Sequence, residues 1–176
     1  MAEIACSSSL GEFDKELLTP ICPDVDFMLG DLHVKPFSID HDAANPVAYR
    51  VRCGGKSVAV ATDMGHFDQY IIDNLQGLDA LLLESNHDVR MLETGPYPYY
   101  LNGHLSNENA GRLLNRVLHD RLKKVFLGHL SKENNYEELA YETVRLEIDE
   151  GDCPYGASDF SISVAGRDCM SEVVYL

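Results

Sequence analysis

Histidines recur in this chain inside a repeated polar motif. The heptapeptide Gly-His-Leu-Ser-x-Glu-Asn occurs twice, at Gly103–Asn109 and again at Gly128–Asn134. In both copies a histidine follows a glycine, and a serine stands where its hydroxyl can cap the start of a helix. Capping alone would account for the serines, but it does not require a histidine in each copy. The repeat therefore indicates a polar site at two helix starts, with His104 and His129 as candidates.

Histidine or aspartate also follows each of four short apolar runs, which are predicted to be buried strands. These polar residues are, in chain order, His41, Asp63, the pair His87 and Asp88, and His129. The carboxyl ends of strands are where α/β proteins place ligands and catalysts. Neutral imidazole and carboxylate bind zinc, manganese and iron, and a carboxylate can bridge two ions. A lone histidine is more often a hydrogen-bonded turn residue, but four strand ends that carry such groups favour a shared metal site.

The elements that must position these groups alternate between strands and helices, with two hairpins early in the chain. The hairpins are predicted around Gly30-Asp31 and Gly54-Gly55. The predicted strands are Val25–Leu29, Leu32–Ile39, Val47–Cys53, Ser57–Thr62, Asp79–Glu84, Lys124–Leu127, Phe160–Val164 and Glu172–Leu176. The predicted helices are the end of one in Met1–Phe13, then Phe67–Leu75, Asn107–Leu122 and Tyr136–Ile148. This order predicts a single α/β domain over residues 1–176.

Composition limits the class of protein. The 176 residues carry a net charge of −15 at pH 7, which disfavours broad electrostatic capture of nucleic acid. A phosphate substrate is still compatible with this charge, because bound divalent cations invert the field at a carboxylate-rich site. No run approaches the roughly 20 apolar residues of a membrane span, so no membrane partner is expected. The five scattered cysteines are typical of reduced thiols and favour a cytoplasmic protein.

A set of motifs resembles one family of hydrolases. The motifs are Asp40-His41-Asp42-Ala43 with Asn45-Pro46-Val47, Thr62-Asp63-Met64-Gly65, Glu84-Ser85-Asn86-His87-Asp88, Gly103-His104-Leu105-Ser106-Asn107-Glu108 and Gly128-His129-Leu130-Ser131. They are similar to motifs of the YycJ/WalJ-like branch of the metallo-β-lactamase-fold hydrolases. The resemblance implies a four-layer αββα sandwich of the α/β (α+β) type, of which this chain would be the C-terminal portion. It also implies a centre of two divalent metal ions, Zn or Mn, and hydrolysis of phosphodiesters by an exonuclease that acts on DNA.

The resemblance also assigns roles to residues of this chain. It implies that His41 binds the first metal ion, that Asp63 bridges both ions, and that His129 binds the second. His104 occupies the place where related tRNA-processing enzymes carry a proton-donating histidine. A positioned imidazole of this kind contributes roughly 10²–10⁴-fold to the rate. His104 and Asp63 are therefore the expected catalytic residues.

Further candidates surround this set. His87 and Asp88 belong to the signature of the branch, and we expect them near the site without a defined role. Free N–H groups at a helix start can hold a phosphate, and N-capping alone is an equally good explanation of the same residues. The candidates for contact with substrate phosphate are Ser106, Asn107, Ser131 and Asn134.

Two departures accompany the resemblance. The hallmark His-x-His-x-Asp-His, which supplies most metal ligands in this superfamily, occurs nowhere in the 176 residues. The chain therefore resembles the C-terminal part of a longer protein and would hold only part of the dinuclear site. The stretch Tyr97–Gly103 is also shorter than the branch leads us to expect. Two alternatives follow: an incomplete fragment that serves as a binding or scaffold module, and a hydrolase of a small phosphodiester or thioester. Formation of a homo-oligomer stays open.

Overall fold

Seven strands form one mixed sheet in the computed structural model, which describes Glu16, residues 18–95 and residues 103–176. The strands are β1 (Phe27–Leu29), β2 (Leu32–Ser38), β3 (Val47–Cys53), β4 (Lys56–Ala61), β5 (Ala80–Glu84), β6 (Lys124–Gly128) and β7 (Ser161–Val164). The α-helices within these ranges are α1 (Gln69–Leu75), α2 (Val89–Thr94), α3 (Asn107–Val117) and α4 (Glu137–Asp149). A 3₁₀ turn at Ala157–Asp159 leads into β7.

The direction of the strands places five strand ends at one edge of the sheet. Strands β4, β5, β6 and β7 are parallel to one another. Strand β3 is antiparallel both to β2 and to β4, so β2 runs in the same direction as the parallel set. The segments that follow β2, β4, β5, β6 and β7 therefore start at the same edge, where open α/β sheets bind their ligands.

Both predicted hairpins are confirmed. β1 and β2 pair across Gly30, and β3 and β4 pair across Gly54 and Gly55. All three glycines adopt positive φ, between 54° and 80°. Two-residue hairpin turns require this conformation because it matches the twist of the strands, and glycine adopts it without steric cost.

The main core lies between one face of the sheet and helices α1, α3 and α4. Alternate residues of the parallel strands contribute to it, as expected when successive side chains point to opposite faces. The strand residues in this core include Ala59, Ala61, Leu81, Leu83, Val125 and Leu127. Helix α3 adds an apolar face with helical spacing, consisting of Ala110, Leu113, Leu114 and Val117. The predicted apolar face of this helix is thus confirmed.

The opposite face of the sheet is more open. Val60 on β4 is 44% exposed, and Leu82 and Phe126 on the next two strands are partly exposed. The described residues therefore form one sheet and one layer of helices, which is an α/β arrangement as predicted. These are two of the four layers in the αββα sandwich that the resemblance implies.

Some predicted boundaries differ from the structure. Helix α3 ends at Val117 rather than Leu122, because Leu118 takes an extended conformation with ψ of 138°. The predicted strand Glu172–Leu176 is wrong: this segment pairs with no strand, and Glu172 forms an ion pair with Lys124. The short helix α2 was not predicted, because one and a half turns give too little periodicity to recognise.

Two predicted features fall outside the residues that the structure describes. The helix end predicted in Met1–Phe13 lies outside the described residues, and so does the shortened stretch before His104, apart from Gly103. Within the described ranges, the longest helices are too short and too polar to cross a membrane.

Candidate metal centre

Four side chains from separate segments meet at the edge where the parallel strands end. His41 follows β2, Asp63 follows β4, His104 precedes α3 and His129 follows β6. Asp63 Oδ1 lies 3.7 Å from His41 Nε2, 3.6 Å from His129 Nε2 and 4.0 Å from His104 Nδ1. The His104 ring centroid is 5.1 Å from that of His41 and 5.2 Å from that of His129. One carboxylate oxygen is therefore surrounded by three imidazoles.

The backbone is strained at two of these positions. Asp63 and His129 have φ angles of 60° and 58°, in the left-handed region that non-glycine residues rarely occupy. Such conformations cost on the order of 1–3 kcal/mol and persist where surrounding structure enforces them, often at functional sites. Both residues stand directly after parallel strands, at the point where the chain has to turn away from the sheet.

A buried carboxylate lies beneath the imidazoles. Glu84, the last residue of β5, is fully buried. Its Oε1 accepts hydrogen bonds from His104 Nδ1 at 2.7 Å and from His129 Nδ1 at 2.8 Å. Its Oε2 accepts hydrogen bonds from the backbone N–H groups of Met64 at 2.7 Å and Leu105 at 3.3 Å. Four donors thus converge on one side chain that has no contact with solvent.

These hydrogen bonds set the charge of Glu84. Burial raises the pKa of its carboxyl, but the hydrogen bonds from His104, His129 and Met64 outweigh burial and bring the pKa below its usual value. The carboxyl group is therefore ionised, and it can accept hydrogen bonds but cannot donate them. The same hydrogen bond from His129, acting against burial of the ring, raises the pKa of that imidazole.

The three imidazoles are held in one tautomer by acceptors. Because Glu84 can only accept, Nδ1 of His104 and of His129 must carry the hydrogen. His41 Nδ1 lies 2.8 Å from the carbonyl oxygen of Gly103, which is also only an acceptor. In each ring the neutral form then keeps its lone pair on Nε2. Histidine ligands of metal ions are commonly oriented by a carboxylate or carbonyl at the other nitrogen.

The spacing of the donors fits a divalent ion. Two groups have potential ligand atoms that all lie within 4.8 Å of one another: His41, Asp63 and His104, and Glu84, His104 and His129. Ligands about 2.1 Å from a tetrahedral ion are about 3.4 Å apart. The distances of 3.6 and 3.7 Å from Asp63 to the two Nε2 atoms are close to this value. Since all Glu84 oxygens already accept hydrogen bonds, we assign Glu84 to orienting the histidines.

A cleft adjoins this cluster. It has a volume of about 310 Å³, and His104 and His129 form one side of it. Ser131 and Asn134, both predicted to contact phosphate, also line it. Their side chains and backbone serve the local turn as well, because the Ser131 hydroxyl accepts a hydrogen bond from the Asn134 N–H at 3.2 Å.

In the first copy of the heptapeptide, Ser106 and Asn107 are buried inside the fold, whereas Ser131 and Asn134 of the second copy line the cleft. The Ser106 hydroxyl caps α3 by accepting a hydrogen bond from the Asn109 N–H. Asn107 is fully buried, accepts from the Ser85 hydroxyl at 2.6 Å, and donates to Asn135 at 3.1 Å. Both side chains are occupied inside the fold, so we do not include Ser106 and Asn107 in the substrate site proposed below.

The pair His87 and Asp88 is also built into the fold. His87 is 2% exposed, and burial lowers the pKa of its imidazole despite nearby acidic groups such as Glu108. Asp88 caps α2 by accepting a hydrogen bond from the Met91 N–H at 2.8 Å. Neither residue belongs to the metal-ligand groups found among the described residues. His87 is therefore a buried residue and Asp88 a helix cap, and a role for either in the site stays a prediction.

Sequence reasoning missed three residues around the site. Glu84 was interpreted as the end of a buried strand, although an acid at the end of the run Ala80–Glu84 was a signal that it needs polar partners. Asn86 donates a hydrogen bond to the His129 carbonyl at 2.7 Å and lines the cleft. Arg167, which follows β7, also lines the cleft, and nothing in its local sequence indicated this.

The sequence of this chain is similar to a known protein family and to curated proteins. Residues 4–129 match the family profile described as Beta-lactamase superfamily domain. Exodeoxyribonuclease WalJ of Streptococcus pneumoniae is 38% identical over 140 residues, which cover 76% of this chain and 52% of that protein. The chain spans about half the length of the curated relatives it matches.

Two solved structures share the fold at low sequence identity. The metallo-beta-lactamase fold protein YhfI from Bacillus subtilis is 18% identical, with a TM-score of 0.57 over 82% of this chain and 51% of that chain. Zn²⁺-bound PqqB from Methylobacterium extorquens is also 18% identical, with a TM-score of 0.58 over 83% of this chain and 53% of that chain.

Proposed function

Because this chain belongs to the metallo-β-lactamase superfamily, in its YycJ/WalJ-like branch, we propose that it forms part of a metal-dependent exonuclease that hydrolyses DNA phosphodiesters. The observation that carries the proposal is the arrangement of His41, Asp63 and His129. Both Nε2 atoms approach the same Asp63 oxygen, at 3.7 and 3.6 Å. The WalJ relative is an exodeoxyribonuclease by name, and the scattered cysteines favour a cytoplasmic location for the proposed enzyme.

In this proposal the metal ligands are supplied by three strand ends. His41, Asp63 and His129 would hold the two ions, with the Nε2 atoms of the histidines and the carboxylate of Asp63 as the ligand groups. Bound Zn²⁺ or Mn²⁺ would supply Lewis acidity toward the scissile phosphate and make a water molecule more acidic. The zinc in the PqqB neighbour supports the choice of a divalent ion for this fold. Glu84 and the Gly103 carbonyl would orient the ligand rings of His129 and His41, because they hold each ring in the tautomer that leaves Nε2 free to bind metal.

We propose that His104 protonates the leaving 3′-oxygen. Its Nδ1 is held by the Glu84 carboxylate at 2.7 Å, which fixes the orientation of the ring. Its ring also lines the cleft next to His129, where a substrate would enter. A carboxylate behind a histidine orients the ring for proton transfer.

The described residues offer too few ligands for two ions. With His104 as proton donor, His41, His129 and a shared Asp63 would give each ion two protein ligands, whereas a catalytic zinc ion typically has three and a water molecule. Asp42, whose Oδ1 lies 3.3 Å from His41 Nε2, is one further donor. We therefore propose that the remaining ligands come from outside the described residues, as the match to about half the length of the relatives supports. The incomplete ligand set also favours one alternative, a non-catalytic binding or scaffold module.

Metal dependence of the full-length protein tests the proposal. Hydrolysis of bis-p-nitrophenyl phosphate and of single-stranded DNA should stop on chelation and return when Mn²⁺ or Zn²⁺ is restored. Unchanged turnover in the chelator would exclude a metal-dependent hydrolase. Full metal loading without hydrolysis of any phosphodiester would favour the scaffold alternative, or a substrate such as a thioester.

The 176-residue chain provides a second test through its metal content. Metal analysis of the purified chain should show weakly held metal, well below two ions per chain. Two tightly bound ions would show that a second copy of the chain, or other residues, completes the site.

A further inference from the structure

One positive charge lies beside the candidate metal centre. Arg167 stands three residues after β7, whose carboxyl end shares the sheet edge with those of β4, β5 and β6. Its guanidinium Nη2 donates a hydrogen bond to the carbonyl oxygen of Leu130, the residue after His129. The side chain is thereby tied to the loop that carries a proposed metal ligand, although the residue itself is exposed.

Lys132 lines a neighbouring cavity together with Arg167, but it does not line the cleft beside the candidate metal centre. The protein has a net charge of −15, and the cluster itself contains Asp63 and Glu84. Among the described residues that line the 310 Å³ cleft, Arg167 is the cation, and Glu133 is a carboxylate in the same wall.

The Arg167 guanidinium has further N–H donors beyond the one that binds Leu130. An arginine side chain carries five N–H donors in a planar fork that suits phosphate. The hydrogen bond to Leu130 uses one of them. The cleft beside it is near the lower end of the range of about 300–1,000 Å³ for ligand sites, which suits one nucleotide rather than a long segment of a strand.

We propose that Arg167 binds the phosphate next to the scissile one and thereby makes the site prefer a polynucleotide over an isolated phosphodiester. This inference rests on the proposed function. The scissile phosphate would lie at His41, Asp63 and His129. The neighbouring phosphate would lie in the adjoining cleft, between Arg167 and the turn formed by Ser131. Glu133 in the same wall would repel further negative charge and limit the cleft to one phosphate.

Equilibrium binding tests the inference independently of catalysis. The probe is a short single-stranded phosphorothioate oligothymidylate, which keeps its charge and resists hydrolysis, added to the full-length protein in Mn²⁺ buffer. Arg167→Gln should weaken binding about 10- to 100-fold, the range for a lost charged hydrogen bond. It should also reduce the slope of log affinity against log salt by about 0.7, the effect of one phosphate contact on a single strand. The matched control is Arg145→Gln, which removes the same charge from a partly exposed position on α4, where Arg145 pairs with Glu142.

Kinetics supply the second readout. The loss of kcat/KM that Arg167→Gln causes on single-stranded DNA should exceed its loss on bis-p-nitrophenyl phosphate at least about tenfold, mainly through KM. Equal losses on both substrates, or binding by Arg167→Gln that matches the wild type, would overturn the role of Arg167 alone. Failure of the wild-type protein to bind the oligonucleotide at all would overturn the DNA substrate of the proposed function, and the assignment of Arg167 with it.

Discussion

Replacing Glu84 by glutamine is the sharpest perturbation of this site. The change keeps the size of the side chain but replaces one acceptor oxygen with an NH₂ donor. Four N–H groups point at the wild-type carboxylate, two on each oxygen. In any orientation the new NH₂ must therefore face two donors. The backbone N–H groups of Met64 and Leu105 cannot change, whereas an imidazole can move its hydrogen from Nδ1 to Nε2.

The expected outcome is a switch of tautomer in at least one of the two histidines that contact Glu84. The glutamine oxygen should keep the two backbone hydrogen bonds, and its NH₂ should donate to Nδ1 of His104 or His129. A ring in that state carries hydrogen on Nε2, where the proposed metal ligand atom lies. Because glutamine is neutral, the charged hydrogen bonds that both rings make to Glu84 are lost.

Glu84→Gln should lower both the stability of the chain and its affinity for metal, by amounts that can be measured separately. Loss of a hydrogen bond to a charged group costs about 1.5–3 kcal/mol, so we expect the free energy of unfolding of the metal-free chain to fall by about 2–4 kcal/mol. Removal of a group that orients metal ligands typically weakens metal binding about 10- to 100-fold. Hydrolysis by the full-length protein should fall at least in proportion, since His104 loses its partner as well.

Three measurements on Glu84→Gln test this reasoning. Long-range ¹H–¹⁵N NMR at about pH 8 reports which ring nitrogen carries hydrogen in His104 and His129. Zn²⁺ titration calorimetry gives metal affinity, and urea denaturation gives stability. The matched control is Glu142→Gln on the exposed side of α4, which should change none of them. If both rings keep hydrogen on Nδ1 and Zn²⁺ affinity is unchanged, Glu84 does not orient the ligands.

Two other predictions concern catalysis and acid stability. In the full-length protein, Asp63→Ala should lose metal and activity together. His104→Ala should keep its metal and slow hydrolysis roughly 10²–10⁴-fold, with a smaller loss for substrates whose leaving group is as acidic as p-nitrophenol. Metal analysis and kinetics on substrates with acidic and with poor leaving groups check this, and an equal loss on the two kinds of substrate would contradict the proton-donor role. Burial raises the pKa of Asp79, but hydrogen bonds from Lys56 and the Ser57 N–H outweigh burial and lower the pKa overall. Its stabilising contribution is therefore present above the unfolded pKa of about 3.9 and is lost as pH falls through the lower folded value. Asp79→Asn should cost about 1–3 kcal/mol in urea unfolding at pH 7, with a difference from the wild type that shrinks below about pH 4; a difference that is independent of pH would contradict the ion pair.

Local sequence was sufficient to predict the strands that build the site. The hairpins and the strands β4, β5, β6 and β7 follow from apolar runs bounded by turn residues, which are short-range signals. Because the parallel strands end at one edge, His41, Asp63 and His129 could be placed together from their positions after strands. The distances of 3.6 and 3.7 Å to Asp63 confirm that these three residues are neighbours, while their roles as ligands stay predictions.

The two copies of the heptapeptide show where local sequence stops being informative. Their residues are nearly the same, but Ser106 caps α3, whereas the equivalent Ser131 stabilises a local turn because α4 begins only at Glu137. Ser106 is buried, whereas Ser131 lines the cleft. What differs is the segment packed against each copy, and that segment comes from a distant part of the chain.

The same reason explains why Glu84 and Arg167 were not recognised. The partners of Glu84 lie 20, 21 and 45 residues away along the chain, and Arg167 reaches Leu130 across 37 residues. A hydrogen-bond partner at such a separation leaves no periodic trace in the sequence. It exists only because parallel pairing of β5, β6 and β7 brings their ends side by side, so the chemistry of these two residues depends on long-range packing rather than on their neighbours in the chain.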